Sequence, residues 1–184
     1  MRIIAGKYRG RILKGPYNDK TRPTSDRLRE TLFNVLNHRI DSSTKFLDLC
    51  AGTGAIGIES ISRGVGFATF VDISRKVCGL IEENLDLLDI PEDQTEIFCL
   101  PVIKFLKKQE NHSWHIIYFD PPYNENYYPV LNEIGAENSP ILDKEGILIA
   151  EHHSKNELPD LVGQIRRWRI IKQGETWLSF YEKN

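Results

Sequence analysis

The sequence predicts a doubly wound α/β fold around a mostly parallel sheet, and three observations predict it. The apolar run of residues 46–49 leads into a glycine-spaced loop, Gly52-x-Gly54-x-x-Gly57, and then into an apolar helical stretch. A second apolar run, residues 67–71, ends in Asp72, about twenty residues beyond the first glycine, where Rossmann-like proteins place the carboxylate that binds ribose hydroxyls. From there apolar runs alternate with helix-period segments to the end of the chain. At 184 residues the chain has room for one such domain and little more.

Taken in order, residues 2–14 join two β-prone pieces around Gly6 and Gly10, which predicts a hairpin with basic residues on its exposed face. The expected division is a basic β-hairpin extension over residues 1–20 and the main domain over 21–184. Pro23, Thr24, Ser25 and Asp26 carry helix-start chemistry, and Leu28, Thr31, Leu32, Val35 and Leu36 follow at helical spacing as one apolar stripe. Arg22, Arg27 and Arg29 read either as helix-surface and capping residues or as contacts to a phosphate. Strands are expected at residues 46–49, 67–72, 95–100, 114–120 and 146–151, with 166–171 and 176–180 as an antiparallel pair around Gln173 and Gly174. That makes seven strands. Helices are expected at residues 55–63, 74–88, 102–108 and 127–137.

The net charge of -2 hides an asymmetry: residues 1–40 hold ten basic and three acidic side chains, the remainder fourteen and twenty-three. A polyanion responds to the local field, so this pattern points to nucleic acid at the N-terminal end. Arg166, Arg167 and Arg169 around Trp168 form a second basic group. No stretch approaches the ~20 apolar residues of a membrane helix, and the N-terminus does not read as a signal peptide. Three dispersed cysteines, Cys50, Cys78 and Cys99, fit a reducing compartment better than a disulfide framework or a zinc site. The expectation is a cytoplasmic monomer without a metal.

The glycines alone do not name a ligand. A phosphate-loop enzyme needs Gly-Lys-Ser or Gly-Lys-Thr, where this chain has Ala55-Ile56, and a hydride-transfer enzyme needs a further substrate region. The deciding stretch is Asp120-Pro121-Pro122-Tyr123, placed after an apolar strand. The lone pair of a base's exocyclic amine is delocalised into its ring, so the nitrogen is a poor nucleophile. A carboxylate and a backbone carbonyl can accept its two hydrogens, an aromatic ring can hold the plane of the base, and two prolines stiffen the connection and remove competing donors. His152 and His153, adjacent on a strand, alternate faces and cannot both serve one site.

The chain resembles the bacterial small-subunit ribosomal RNA guanine-N2 methyltransferases of the RsmD type, within the Rossmann-like class I S-adenosylmethionine-dependent methyltransferases. The resemblance runs through RIIAGKYRGR, TRPTSDRLRETLFN, DLCAGTGAIGIE, VDIS, DPPY and the late QGET, nearly the whole chain. It implies that Asp48, Cys50, Ala51, Gly52, Thr53 and Gly54 wrap the methionine part of S-adenosylmethionine, that Asp72 binds its ribose, and that Ile73 packs on the adenine. It implies that Asp120, Pro121, Pro122 and Tyr123 hold the guanine, and that Arg22, Thr24, Arg27 and Glu30 lie over the site. Arg9 and Arg11 on the hairpin would meet RNA. The implied reaction methylates N2 of one guanine of 16S ribosomal RNA, in the small subunit or an assembly intermediate. The chain departs from the family at Thr53, Cys50 and Pro101; relatives carry Asn or Asp at the last, near the adenine amine. The competing readings are a DNA adenine-N6 methyltransferase, which would need added recognition surface and base flipping, and a non-catalytic RNA-binding protein on the same fold.

Overall fold

A computed structural model of the chain describes residues 1–15, 25–122 and 124–184. Its sheet comprises β1 (Lys45–Leu49), β2 (Phe67–Asp72), β3 (Thr95–Cys99), β4 (Trp114–Phe119), β5 (Leu142–His153), β6 (Leu161–Val162), β7 (Ile165–Gln173) and β8 (Thr176–Lys183). The spatial order is β3-β2-β1-β4-β5-β8-β7-β6. The first five strands pair in parallel, and β8, β7 and β6 add antiparallel pairs. The expected doubly wound, mostly parallel sheet is therefore present with one strand more than the seven predicted. The addition is β6, two residues long, too short to leave a periodic signal.

Phe46, Leu47, Asp48 and Leu49 of β1 are all buried, as expected of a central parallel strand covered on both faces. One face carries α1 (Asp26–Leu36), α2 (Ala55–Ser62) and α3 (Arg75–Leu87); the other carries α4 (Val102–Leu106) and α5 (Tyr128–Ile134). The strand order turns back at β1, between β2 and β4, and opens a crevice at the carboxyl ends of these strands. Ser25 caps α1, its hydroxyl accepting the Leu28 N–H at 3.2 Å, a bond worth about 1 kcal/mol.

The N-terminal segment folds back on itself: Arg2 bridges Ile12 antiparallel, Ile3 N–H donates to Arg11 O at 2.9 Å and Leu13 N–H to Met1 O at 2.8 Å. Among the described residues this pairing does not lengthen into a strand ladder, and the segment docks on the domain. Ile3, Tyr8 and Leu13 are buried in the core with α1, α2 and α3, Ile3 and Leu13 each worth about 1.5–3 kcal/mol of apolar burial. The Ile4 and Ala5 N–H groups donate to the Glu59 carboxylate at 2.7 and 3.0 Å, and Lys7 N–H donates to Ser62 O at 2.7 Å. Gly6, at φ +83°, passes so close that a Cβ there would lie 1.7 Å from Ser62 O. This cover explains why every residue of α2 is buried. Among the described residues no helix is long and apolar enough to cross a membrane.

Candidate active site

The crevice is floored by the loop that follows β1. Cys50, Gly52 and Gly54 all adopt positive φ, 62°, 56° and 75°, so the chain turns sharply and α2 begins directly at Gly54. Gly57 is needed for a different reason: a Cβ there would lie 2.3 Å from the Phe70 ring, so it sets how closely α2 packs on β2. Ala51 N–H donates to Val71 O at 3.1 Å, which ties the loop to the end of β2.

Asp72 stands at the carboxyl end of β2. One carboxylate oxygen accepts the Gly52 N–H at 3.1 Å, the other the Ser74 N–H at 2.9 Å. These bonds fix the carboxylate and leave each oxygen a lone pair toward the crevice. Next to it Ile73 is 70% exposed, an apolar surface in want of a flat partner. Asp48 lies beneath the loop, buried, and accepts the Gly57 N–H at 2.9 Å. Burial, with the charge of Asp72 adding, pushes its carboxyl up to about 8.

Asp120 follows β4, anchored by its N–H to Leu49 O at 3.3 Å. Pro121 is buried, and the carbonyl of Pro122 accepts the Glu125 N–H at 2.8 Å in the turn that follows. Strand register fixes which way these acids point. Phe70 pairs with Asp48, Asp48 with Tyr118, and Tyr118 with Ile149. Paired residues share a face, as do residues two apart. Asp72, Asp48, Asp120 and Glu151 therefore all lie on the α2 side, at the carboxyl ends of β2, β1, β4 and β5. The Tyr118 hydroxyl, buried between them, donates to Glu151. Burial first, then the charges of Glu151 and Asp48, hold the Asp120 carboxyl well above the carboxylate range. The Cys50 thiol is likewise driven up, first by burial and then by Asp72, Asp120, Asp48 and Glu125 around it.

An acidic crevice with a fixed carboxylate, an apolar shelf and helix amides suits a cationic nucleoside. S-adenosylmethionine, with its sulfonium and amino charges, a ribose, an adenine and one carboxylate, fits that set. Asp72 would take the ribose hydroxyls, Ile73 the adenine face, and the 50–54 loop the amino-acid end. The Pro101 carbonyl already accepts from Lys104 and Phe105 at 2.9 and 3.1 Å, so it serves α4 and not an adenine amine.

The remaining sequence-predicted residues are more dispersed. Arg22, Thr24 and Tyr123 lie outside the described residues. Arg27 and Glu30 are exposed on α1. Arg29 turns inward instead and is fully buried, donating to Arg2 O and Asp26 and pairing with Glu59. Arg9 and Arg11 are exposed, but Arg11 donates to Leu87 O at 2.9 Å, at the end of α3 farthest from Asp72. His152 and His153 do separate: His152 is buried against Ser179, at 2.9 Å. Arg167 is engaged with Asp160 and Leu158 O.

Sequence reasoning missed three residues. Glu151 and Tyr118 looked like ordinary strand residues. Asn84, buried in α3, bonds to both backbone groups of Lys14 and donates to Thr53 O at 3.1 Å, linking the glycine loop to the N-terminal segment. Its signal was a polar side chain between Ile81 and Leu85 in an apolar stripe.

The sequence profile of the family described as conserved hypothetical protein 95 matches residues 1–182. A putative ribosomal RNA methyltransferase of Bacillus subtilis, YlbH, is 33% identical over 186 residues, spanning all of this chain and 99% of that protein. Ribosomal RNA small subunit methyltransferase D of Escherichia coli is 33% identical over 183 residues, spanning all of this chain and 90% of that protein. The solved structure of a putative methyltransferase from Escherichia coli superposes with a TM-score of 0.87 at 29% identity, covering 100% of this chain and 98% of that one.

Proposed function

Because this chain belongs to the conserved hypothetical protein 95 family, the RsmD-type class I methyltransferases, we propose that it methylates the exocyclic N2 of one guanine in 16S ribosomal RNA. It is an S-adenosylmethionine-dependent ribosomal RNA methyltransferase. The observation that carries this reading is the placement of Asp120-Pro121-Pro122 at the mouth of the crevice, on the same sheet face as Asp48 and Asp72.

Bound S-adenosylmethionine supplies an electrophilic methyl group on a positively charged sulfur. The protein's own residues supply position. The Asp120 carboxylate and the Pro121 carbonyl accept the two hydrogens of the guanine amine, which turns its lone pair toward the crevice floor. Pro121 and Pro122 bring no N–H to compete, and Tyr123 stacks on the base. Holding two reactants in line recovers a large part of the barrier to a bimolecular transfer. Arg22, Thr24, Arg27 and Glu30 shape the entrance. Residues 1–20 form the RNA-contacting element on the 21–184 domain, with Arg9 and Arg11 facing phosphates. The substrate is the small subunit or an assembly intermediate, and the enzyme works as a cytoplasmic monomer.

The test is methyl transfer from labelled S-adenosylmethionine to free 16S RNA, isolated small subunits and duplex DNA, with the modified nucleoside identified by mass spectrometry. N2-methylguanosine from either RNA substrate is the expected product. N6-methyladenine in DNA would overturn the choice of polymer and base. Asp120→Ala should retain cofactor binding and lose transfer by about 100-fold or more; unchanged turnover would remove Asp120 from the site.

A further inference from the structure

We propose that Glu151, held by the Tyr118 hydroxyl, is a positioning residue that keeps Asp120 basic enough to take the proton released when a base amine is methylated. This rests on Asp120 being the carboxylate that holds the amine.

Phe119 pairs with Ala150 in parallel register, so Asp120 and Glu151 are the next residues on adjacent strands and share a face. Glu151 is only 4% exposed, and its one described partner in that space is the buried phenol of Tyr118, two residues before Asp120. The titratable groups facing the pair are Asp48 from β1, Tyr118 from β4 and the Cys50 thiol of the glycine loop, while β8 presents the apolar Leu178 opposite Glu151. Two carboxyls in so dry a place cannot both carry full charge; each raises the other's hold on a proton. Burial raises Glu151 and the Tyr118 bond opposes that rise, so Tyr118 favours the charge on Glu151 and leaves Asp120 the more basic of the two.

The chemistry needs such a group. An amine nitrogen that has gained a carbon carries a positive charge and one surplus proton. The N–H bond breaks with its electron pair staying on nitrogen, and the proton forms an O–H bond with Asp120 in its carboxylate form, from which it passes to water. An isolated exposed aspartate is a weak acceptor near neutrality. The Glu151 charge strengthens it, and Tyr118 prevents Glu151 from swinging away.

Two variants separate charge from clamp. Glu151→Gln keeps an acceptor for Tyr118 and removes the charge; Tyr118→Phe removes the clamp and keeps the charge. The first readout needs no turnover: carbon-13 NMR of aspartate-carboxyl-labelled protein, titrated without cofactor. The Asp120 midpoint should fall in Glu151→Gln and fall by less in Tyr118→Phe, which keeps the charge but frees it to move. In the RNA methylation assay Glu151→Gln should lower kcat about tenfold or more, with KM for S-adenosylmethionine unchanged and the acid limb of the pH profile moved to lower pH. An Asp120 midpoint that does not move in Glu151→Gln overturns the proposal whatever the assay gives. A moved midpoint with an adenine or DNA product would leave the carboxyl pair standing and remove only the guanine reading.

Discussion

The carboxylate of Asp48 accepts the backbone N–H of Gly57 at 2.9 Å from beneath the glycine loop, joining the end of β1 to the first turn of α2. The same carboxyl is buried and raised to about 8, chiefly by that burial. An acid whose pKa rises on folding holds its proton in the native state while the unfolded chain gives it up, so stability falls as pH climbs from about 4 to about 8. Below that window Asp48 is neutral in both states and the penalty vanishes. Asp48→Asn, neutral throughout, should leave stability near pH 4 little changed and raise it relative to the parent above pH 8. Urea unfolding across this range checks it; parallel curves for the two proteins would mean that Asp48 is ionised without cost.

Gly57 makes a second demand on the same turn. A Cβ would lie 2.3 Å from Cε1 of Phe70, a ring buried in the core. Gly57→Ala must push α2 off the sheet or turn the ring, at a cost of about 1–3 kcal/mol, or roughly 2–10 °C in Tm for a chain of this size. Because α2 begins at the floor of the crevice, S-adenosylmethionine binding measured by calorimetry should weaken as well. Unchanged affinity would show that the ring yields and the helix does not.

How much of this was legible in the sequence follows from which forces are local. The acids at the ends of β2 and β4 were readable because an apolar run stopping at Asp72 or Asp120 is a local pattern. The antiparallel pair of β7 and β8 was readable from its short turn, where Gly174 does adopt φ +59°. Glu151 was hidden because an acid at a strand end is usually solvated; only the register of β5 against β4 buries it beside Tyr118. The docking of the N-terminal segment was hidden for the same reason. Its charges promised an exposed hairpin, while Ile3, Tyr8 and Leu13 answer to helices far away in sequence. Glu59 in the apolar stretch AIGIESIS was the available clue: a lone acid in a helix apolar all round needs a buried partner.

That partner set yields the third prediction. Glu59 receives Ile4 and Ala5 N–H, Arg63 Nε at 2.8 Å and, at 3.7 Å, the buried Arg29 guanidinium. Glu59→Ala strands a buried arginine and two amides, and removing one partner of such a pair costs about 3–5 kcal/mol. Glu59→Gln keeps one acceptor and should cost less. Trypsin should then cut after Lys7 or Arg9 sooner in Glu59→Ala than in the parent under native conditions. Equal cleavage rates would show that apolar burial of Ile3, Tyr8 and Leu13 holds the segment without the carboxylate.

The last prediction concerns distance. Arg9 and Arg11 sit on the N-terminal loop where it crosses the end of α3, since Arg11 bonds to Leu87 O. The 13 residues of α3 span about 20 Å, so these charges stand about that far from Asp72 at its other end, and one helical turn beyond the Asn84 that reaches Thr53 of the glycine loop. A phosphate held there adds affinity without touching the reacting base. Arg9→Ala should therefore raise KM for 16S RNA and leave kcat at saturation unchanged, and the slope of log K against log salt should shrink by roughly 0.7–0.9, the share of a single neutralised phosphate. Arg11→Ala should do the same with an added small loss of stability from the freed Leu87 carbonyl. A fall in kcat at saturating RNA would contradict the separation, because it would mean that the loop acts on the crevice itself rather than on the path the RNA takes to reach it.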